Sequence, residues 1–366
     1  MHLNRIRPIF EHDGPFHTLH VEVGRTTEDA AQQRESRWTT IRHELEHRGC
    51  PDDLIQDVGE RLWQNTHAPG EEARRTIVAS DDEVLFDEVQ TGHSPLPESV
   101  DYGPLPDLAG WVTLAELAVP FVLVLADRTG ADIEVHRAAS APSAARETVT
   151  GQTFYITKVA EGDWAQKQFQ QTAENAWRDN ARLVTEEVRS LVRRHRPRAV
   201  LIAGDVRARS AIAADLEARD PVSPGVAVLE VEAGGRADGA SREALWEEVR
   251  DHLTRLSAEA DADLAGRLDE ARGRGEGAAH GVDEVVDALS QARVERLVLD
   301  LGRARESVVK PADHDGLPVP SAAREGEVPA DRVLIAAAAL TDAELSLLPA
   351  GMGRGGGVSA LLRWSA

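Results

Sequence analysis

Apolar and polar residues alternate in two parts of the first third of the chain. Residues 16–23, FHTLHVEV, predict a strand, and residues 74–89, RRTIVASDDEVLFDEV, predict a hairpin that turns at Asp81 and Asp82. Helical spacing predicts one helix from residue 26 or 27 to about residue 48 and another over about 53–65. Residues 93–110 are proline-rich and aperiodic, which favours a boundary there. We therefore expect a first α/β domain over residues 1–115.

The middle of the chain predicts a second α/β domain, over residues 116–240. Two apolar runs around Asp127 and Gly130 predict an antiparallel hairpin, and residues 152–159, QTFYITKV, predict a further strand. From Trp164 a long helix is indicated by apolar residues at helical spacing: Ala165, Phe169, Ala173, Trp177, Val184, Val188 and Leu191. A strand, a helix over residues 206–218 and another strand follow, which is the pattern of an α/β sheet.

The last third, residues 241–366, predicts a helical connection and a small domain. One or two helices are expected up to about residue 273, followed by a helix and a strand in residues 281–301. Residues 329–340 predict a helix, and residues 343–350 and 357–364 predict strands. An α/β/α domain is the simplest arrangement of these elements.

Composition indicates a folded protein without a membrane segment. Of 366 residues, 42% are hydrophobic and 28% charged, and no apolar run approaches the roughly 20 residues that span a bilayer. No apolar segment follows the first basic residues as in a secretory signal. Since Cys50 is the single cysteine, no intrachain disulfide can form. These features predict a cytoplasmic protein with no membrane partner.

Charge is unevenly distributed along the chain. The formal net charge of −22 argues against general coating of nucleic acid, and we expect no DNA partner. Residues 164–209 nevertheless hold ten Lys or Arg against five Asp or Glu, including Arg193, Arg194 and Arg196. Two interpretations are open: a solvated helix whose arginines complement its C-terminal dipole, or a surface that faces RNA.

Two motifs suggest a cofactor, and neither is persuasive. His43-Glu44-Leu45-Glu46-His47 has the H-E-x-x-H spacing of zinc proteases, but Glu46 adds a charge, no third ligand follows, and the apolar pattern puts both histidines near solvent. Residues 351–357, GMGRGGG, contain G-x-G-x-x-G, but a strand follows where a dinucleotide site needs a helix. We interpret this segment as a hairpin loop and expect neither a metal nor another cofactor.

Residues 161–170, EGDWAQKQFQ, are the most informative segment. Asp163 can cap the long helix, and Trp164, Gln166 and Lys167 fall in its first turn. Stacking, hydrogen bonding and phosphate pairing by these residue types suit contact with RNA. The alternative is that Trp164 packs beneath the preceding hairpin.

The order of four segments resembles that of a known family. PFVLVLADRTGADIEV, EGDWAQKQFQQTAENAW, RAVLIAGD and VERLVLDL together resemble the bacterial relatives of the archaeal and eukaryotic class-one peptide-chain release factors, which include Balon-like ribosome hibernation factors. The resemblance covers residues from about 120 to the end well and the first domain loosely. It implies three domains: the middle one ribonuclease H-like, with Gly-Gly-Gln in a loop before a long helix, and the C-terminal one like a ribosomal protein. The C-terminal domain of the family helps to recruit a translational GTPase.

The matching loop departs from the family motif. It reads Gly162, Asp163, Trp164, Ala165, Gln166, so Gly-Gly-Gln is missing, although Gln166 lies near the position of the family's catalytic glutamine. The resemblance therefore implies ribosome binding without peptide release. The residues expected to contact rRNA are Gly162, Asp163, Trp164, Gln166, Lys167, Arg193, Arg194 and Arg196.

Three hypotheses follow for the function. The first is a factor that occupies the vacant ribosomal A site in hibernation or rescue under stress, with a translational GTPase as a candidate partner. The second is a peptidyl-tRNA or aminoacyl-ester hydrolase that uses Gln166. The third is an interaction protein outside translation, built on the same scaffold.

Overall fold

The structure, a computed structural model, divides the chain into two compact units. It describes residues 1–23, 30–64, 72–127, 129–139, 141, 143–150, 163–218, 225–235, 241–348 and 357–364, without the side chains of 30–32, 163–178 and 218. The discontinuous unit comprises Met1–Leu117 and Asp261–Ala366, and the continuous unit is Ala118–Ala260. Among the described residues, no helix is both long and apolar enough to cross a membrane.

The first segment of the discontinuous unit forms an antiparallel sheet with helices. After a 3₁₀ helix at Arg7–Glu11, its elements are β1 Phe16–Glu22, α1 Ala30–His47, α2 Asp52–Leu62, β2 Ala73–Ala79, β3 Val84–Thr91, β4 Ser99–Gly103 and α3 Ala109–Leu117. The strand order is β3-β2-β1-β4. Leu19 of β1 lies directly opposite Ile77 of β2, so both side chains share the face of the sheet that packs against α1 and α2. The predicted strand, hairpin and two helices are confirmed.

The proline-rich stretch at residues 93–110 is part of this fold. It contains β4, which pairs with β1 and so completes the sheet. Leu105 and Leu108 in the same stretch are fully buried. The chain leaves the unit only after α3, at Leu117.

The continuous unit is built on a mixed five-stranded sheet. Its elements are β5 Phe121–Asp127, β6 Gly130–His136, β7 Ala145–Thr150, α4 Asp163–His195, β8 Ala199–Gly204, α5 Val206–Ala218, β9 Ala227–Glu230 and the start of α6 Arg242–Arg274. The order is β7-β6-β5-β8-β9, antiparallel from β7 to β5 and parallel from β5 to β9. The predicted hairpin and strand-helix-strand unit are confirmed. The strand predicted at 152–159 lies outside the described residues.

Helices cover both faces of this sheet. Val122 and Val124 of β5 face α4 and α5, whereas Phe121 and Leu123 face α6. Burial of both strand faces is what parallel pairing requires. The predicted apolar face of α4 is confirmed at Val184, Val188 and Leu191, which are buried; the side chains of the earlier positions are not described.

The last segment of the discontinuous unit is a three-layer α/β/α arrangement, as expected. Its elements after α6 are β10 Ala278–His280, α7 Val282–Ser290, β11 Val294–Leu299, α8 Leu301–Arg305, β12 Val308–Val309, β13 Val328–Pro329, α9 Ala330–Leu340, β14 Glu344–Leu347 and β15 Val358–Leu362, with short 3₁₀ helices at Pro311–Asp313 and Ser321–Glu325. Leu297 packs in one core with α7 and α9, and Val298 packs with α6 on the opposite face.

Strands β14 and β15, which precede and follow the glycine-rich residues 351–357, are not hairpin partners. The sheet order is β10-β15-β11-β14, so β14 and β15 lie on either side of β11. Hairpin partners would be adjacent and antiparallel. The predicted hairpin between these two strands is therefore wrong; of residues 351–357 only Gly357 is described.

The two segments of the discontinuous unit share one hydrophobic core. Trp111 of α3 is 1% exposed, lies edge-on to Phe86 with ring centroids 5.7 Å apart, and donates from Nε1 to Glu88 at 3.1 Å. It belongs to the same cluster as Leu297 and Leu334. Residues far apart in sequence are thus buried together.

Ion pairs cross between the same two segments. The Arg305 guanidinium donates to Asp107 at 2.5 Å and to Asp331 at 3.0 Å, and Arg332 donates to Asp101 at 2.7 Å. Asp331 is 1% exposed. Burial raises the pKa of the Asp331 carboxyl, and the neighbouring Arg305 opposes this shift.

Candidate functional site

The start of α4 carries the predicted loop residues. The helix begins at Asp163, so the backbone of Trp164, Gln166 and Lys167 lies in its first turn, as predicted. The side chains of these residues, and Gly162 as a whole, lie outside the described part. Whether Asp163 caps the helix and which way Trp164 points remain sequence-based predictions.

The end of α4 presents three arginines to solvent. Arg193, Arg194 and Arg196 are exposed, and among the described residues their side chains form no hydrogen bond or ion pair. We call these three residues the arginine cluster. Arg196 has a φ of 48°, and its N–H donates to the Val192 carbonyl at 2.9 Å, which is a left-handed helix end normally occupied by glycine. Pro197 then prevents the helix from continuing.

Other arginines of the basic stretch have structural roles. Arg209 is buried and donates to Glu230 at 2.6 Å and to the Val231 carbonyl at 2.7 Å. Arg189 donates to the Asp215 and Leu216 carbonyls at 3.2 and 3.1 Å, near the C-terminal end of α5. The surface available to a partner is therefore smaller than the sequence count suggests.

The structure does not bring the two predicted groups of RNA-binding residues together. Asp163 and Arg193 are separated by 30 residues of one continuous helix, which at 1.5 Å per residue is about 45 Å. A partner that touches both must extend along the whole of α4. The residues therefore define two contact points on one rigid element.

The H-E-x-x-H segment has the geometry of a solvated helix face. His43 and His47 are exposed, as predicted, and the intervening glutamates pair with arginines: Glu46 with Arg42 at 2.7 Å and Glu44 with Arg48 at 3.6 Å. Within the described residues, no three His, Cys, Asp or Glu side chains are grouped so that they could hold a metal ion.

An ionic cluster in the continuous unit, formed by the buried Glu134 and His136 with the exposed Arg146, has no counterpart in the sequence predictions. Glu134 is 8% exposed; one carboxylate oxygen lies 3.0 Å from His136 Nε2 and the other 3.0 Å from Arg146. His136 stacks on Phe121 with centroids 4.9 Å apart, and its Nδ1 lies 3.2 Å from the Ala141 carbonyl. Glu134 and His136 alternate on β6 like ordinary strand residues, so the sequence offers no signal of this cluster.

The middle of the chain is similar to a known protein family. Residues 120–274 match the sequence model of bacterial archaeo-eukaryotic release factor family 2. Over this region, which includes α4 and the arginine cluster, the chain is similar to the bacterial relatives of the archaeal and eukaryotic release factors. The resemblance inferred from the sequence is thereby confirmed.

Relatives and solved structures extend the comparison. Uncharacterized proteins from two strains of Mycobacterium tuberculosis are each 29% identical over 383 residues, covering 100% of this chain and 98% of their own. Archaeoglobus fulgidus Pelota is 16% identical with a TM-score of 0.32 and covers 80% of each chain. Archaeal Pelota, from a model of it bound to the ribosome with ABCE1, is 16% identical with a TM-score of 0.42, covering 81% of this chain and 78% of its own.

A yeast structure gives a similar match. Saccharomyces cerevisiae Dom34, a translation termination-like factor described as interacting with Hbs1, is 9% identical with a TM-score of 0.42, covering 81% of this chain and 80% of its own.

Proposed function

We propose that this protein is a ribosome-binding factor of the release-factor class that acts in the cytoplasm without releasing peptide. The observation that carries the proposal is the arginine cluster, exposed on a segment related to release factors in a chain of net charge −22. An acidic protein that binds RNA must do so through a local basic surface, because phosphate repels the remainder. Binding to rRNA through the end of α4 fits that requirement.

The sequence at the start of α4 supports the absence of peptide release. The chain contains no Gly-Gly-Gln, and the residues at the start of α4 are Asp163 and Trp164. We therefore favour occupation of the vacant A site, as in hibernation or rescue, with a translational GTPase as a candidate partner. Hydrolysis by Gln166 is the second candidate, supported by its place in the first turn of α4.

The test is sedimentation of the protein with purified ribosomes over a series of salt concentrations. If the three arginines each neutralise one phosphate, they contribute about −2 to −3 to the slope of log K against log salt, at roughly 0.7 to 0.9 per phosphate. The triple variant Arg193→Glu, Arg194→Glu, Arg196→Glu should lose binding at moderate salt and show a flatter slope. A matched control variant reverses the charge of three exposed arginines of α6 and changes the net charge by the same amount: Arg250→Glu, Arg255→Glu and Arg272→Glu.

The outcomes separate the candidate functions. Equal loss of binding in both triple variants would indicate net charge and not the arginine cluster as the cause. No sedimentation of the wild type at low salt would reject ribosome binding and favour an interaction protein outside translation. A peptidyl-tRNA cleavage assay completes the test, because cleavage that disappears in Gln166→Ala would establish the hydrolase instead.

A further inference from the structure

A cavity of about 160 Å³ lies in the continuous unit between the sheet and the start of α6. Its walls are formed by Leu123, Leu125, Glu134, Leu245 and Trp246. Gly234 and Gly235, which follow β9, and Ser241 and Arg242, at the start of α6, also line it. Crevices at the carboxyl ends of parallel strands are where open α/β sheets bind ligands.

The carboxylate in the wall is held in place and charged. The hydrogen bond from His136 lowers the pKa of Glu134; burial opposes this, and the positive charges of Arg146 and Arg242 add to the lowering. His136 is itself fixed between Phe121 and Trp246, whose ring centroid lies 5.1 Å away. An ionised carboxylate has about four acceptor sites, and the His136 and Arg146 contacts use two. Glu134 can therefore accept further hydrogen bonds from a ligand.

The size and lining of the cavity restrict the ligand. Its volume is below the roughly 300 to 1,000 Å³ of pockets for drug-sized molecules, so it suits a single ring system. The aliphatic walls and the Trp246 indole favour a ligand with a flat, apolar surface. The buried Glu134 carboxylate requires N–H donors on one edge of that ligand, and Arg242 at the start of α6 favours an anionic group on it. A nucleobase attached to a phosphate combines these three properties, and proteins read unstacked bases by such aromatic contacts and edge hydrogen bonds.

We propose that this cavity is a nucleobase site that prefers guanine. Guanine presents a ring N–H and an amino group side by side, which match a carboxylate, whereas adenine and cytosine place an acceptor next to their amino group. Glu134 accepts from the guanine edge, Trp246 provides the aromatic wall, and Arg242 pairs with the phosphate. The base comes either from a free guanine nucleotide or from an unpaired guanosine of RNA. The proposal does not depend on ribosome binding.

The first experiment measures binding of guanosine and adenosine monophosphates to the full chain by calorimetry. We expect guanosine monophosphate to bind at least about tenfold more tightly than adenosine monophosphate. Glu134→Gln, which replaces an acceptor oxygen by a donor, should weaken guanosine monophosphate binding about tenfold or more. Glu147→Gln on the neighbouring strand β7 is the matched control, because Glu147 is exposed and should leave binding unchanged.

A second variant tests the cavity if Glu134→Gln fails to fold. A Cβ added at Gly235 would meet only the Gly204 Cα, at 3.5 Å, which is an ordinary contact. Gly235→Leu should therefore fold and obstruct the cavity, with loss of binding at an unchanged melting temperature.

A parallel titration uses short single-stranded RNAs that carry one guanosine or one adenosine at the centre. Guanine-selective binding of the mononucleotide identifies a free nucleotide as ligand; selective binding of the RNA alone identifies an RNA base. Equal affinity for both bases, no binding of either probe, or binding unaffected by both variants would overturn the proposal. Ribosome sedimentation is a separate measurement, so the two proposals fail independently.

Discussion

Two groups of arginines, one in each compact unit, have opposite surroundings. In the discontinuous unit, Arg305 and Arg332 pair with aspartates and join distant segments of the chain. In the continuous unit, the arginine cluster is exposed to solvent and forms no ion pair among the described residues. A guanidinium satisfied inside the fold stabilises that fold, whereas one left exposed at a helix end is available to an outside phosphate. Charge content alone therefore does not locate a binding surface.

The largest expected effect concerns the shared core. Trp111→Ala should destabilise the discontinuous unit by about 4 kcal/mol, since the variant loses apolar burial and leaves a cavity. Hydrogen exchange should show reduced protection in both residues 1–117 and residues 261–366 and little change in residues 118–260. Trp364→Ala is the control, because Trp364 is 53% exposed and should cost under about 0.5 kcal/mol. Loss of protection limited to residues 1–117 would contradict a common core.

Removal of the cation that pairs with the buried Asp331 should have the next largest effect. Arg305→Ala leaves Asp331 buried without its partner, and we expect a loss of about 3 kcal/mol in the free energy of unfolding. Arg267→Ala, which breaks a half-exposed pair with Glu295, should cost less than about 1 kcal/mol. Arg193→Ala should leave stability within about 0.5 kcal/mol while it reduces the salt dependence of ribosome binding. Urea denaturation checks all three, and a large stability loss in Arg193→Ala would remove the contrast between the units.

A buried histidine should make the discontinuous unit sensitive to acid. His20 of β1 is 1% exposed, its Nδ1 lies 2.9 Å from the Thr76 hydroxyl, and a Cβ added at Gly110 would meet its ring at 2.4 Å. Burial lowers the pKa of His20 to about 4, and the nearby positive charge of Arg74 adds to the lowering. In the unfolded state His20 binds a proton once the pH falls below its pKa of about 6.5, whereas in the native state it stays neutral until about pH 4. The free energy of unfolding therefore falls as pH drops from about 6.5 to about 4.

Between pH 7 and pH 5 this histidine should cost about 2 kcal/mol, at about 1.4 kcal/mol for each pH unit. Urea denaturation at both pH values should show a smaller loss in His20→Gln than in the wild type. The control is His93→Gln, because the His93 side chain is 81% exposed. An equal pH dependence in wild type and His20→Gln would show that other groups cause it.

The smallest expected effect concerns the H-E-x-x-H segment. His43→Gln should change neither stability nor ribosome binding, because the His43 side chain is exposed on α1. Elemental analysis of the purified protein should find no stoichiometric zinc. One zinc per chain that is lost in His43→Gln would contradict this prediction.

Local patterns predicted most of the elements because apolar periodicity is set by the face that each element buries. The two hairpins and α5 were predictable in this way. Strand β7 was missed because it lies at the sheet edge and is largely exposed, so its sequence, ARETVT, has no apolar alternation. Strand β4 was obscured by the prolines on either side of it.

The candidate site was less predictable because its contacts are non-local. A local count of basic residues could not show that Arg209 is neutralised by Glu230 or that Arg189 bonds to carbonyls of α5. Likewise, Glu134 and Trp246 come together only when β6 and α6 pack on one another. The exposure of Arg193 was favoured by its place in the last turn of a helix, where local sequence is informative.

The core shared by the first and last segments imposes an order on biosynthesis. Trp111 leaves the ribosome long before Leu297 and Leu334, with which it is buried. At roughly 5 to 20 residues per second, the roughly 190 to 220 intervening residues take about 10 to 45 seconds to synthesise. The continuous unit can fold during that interval, because its sheet needs only residues already made. The apolar surface around Trp111 is meanwhile exposed, which makes the nascent first segment a natural client for chaperones.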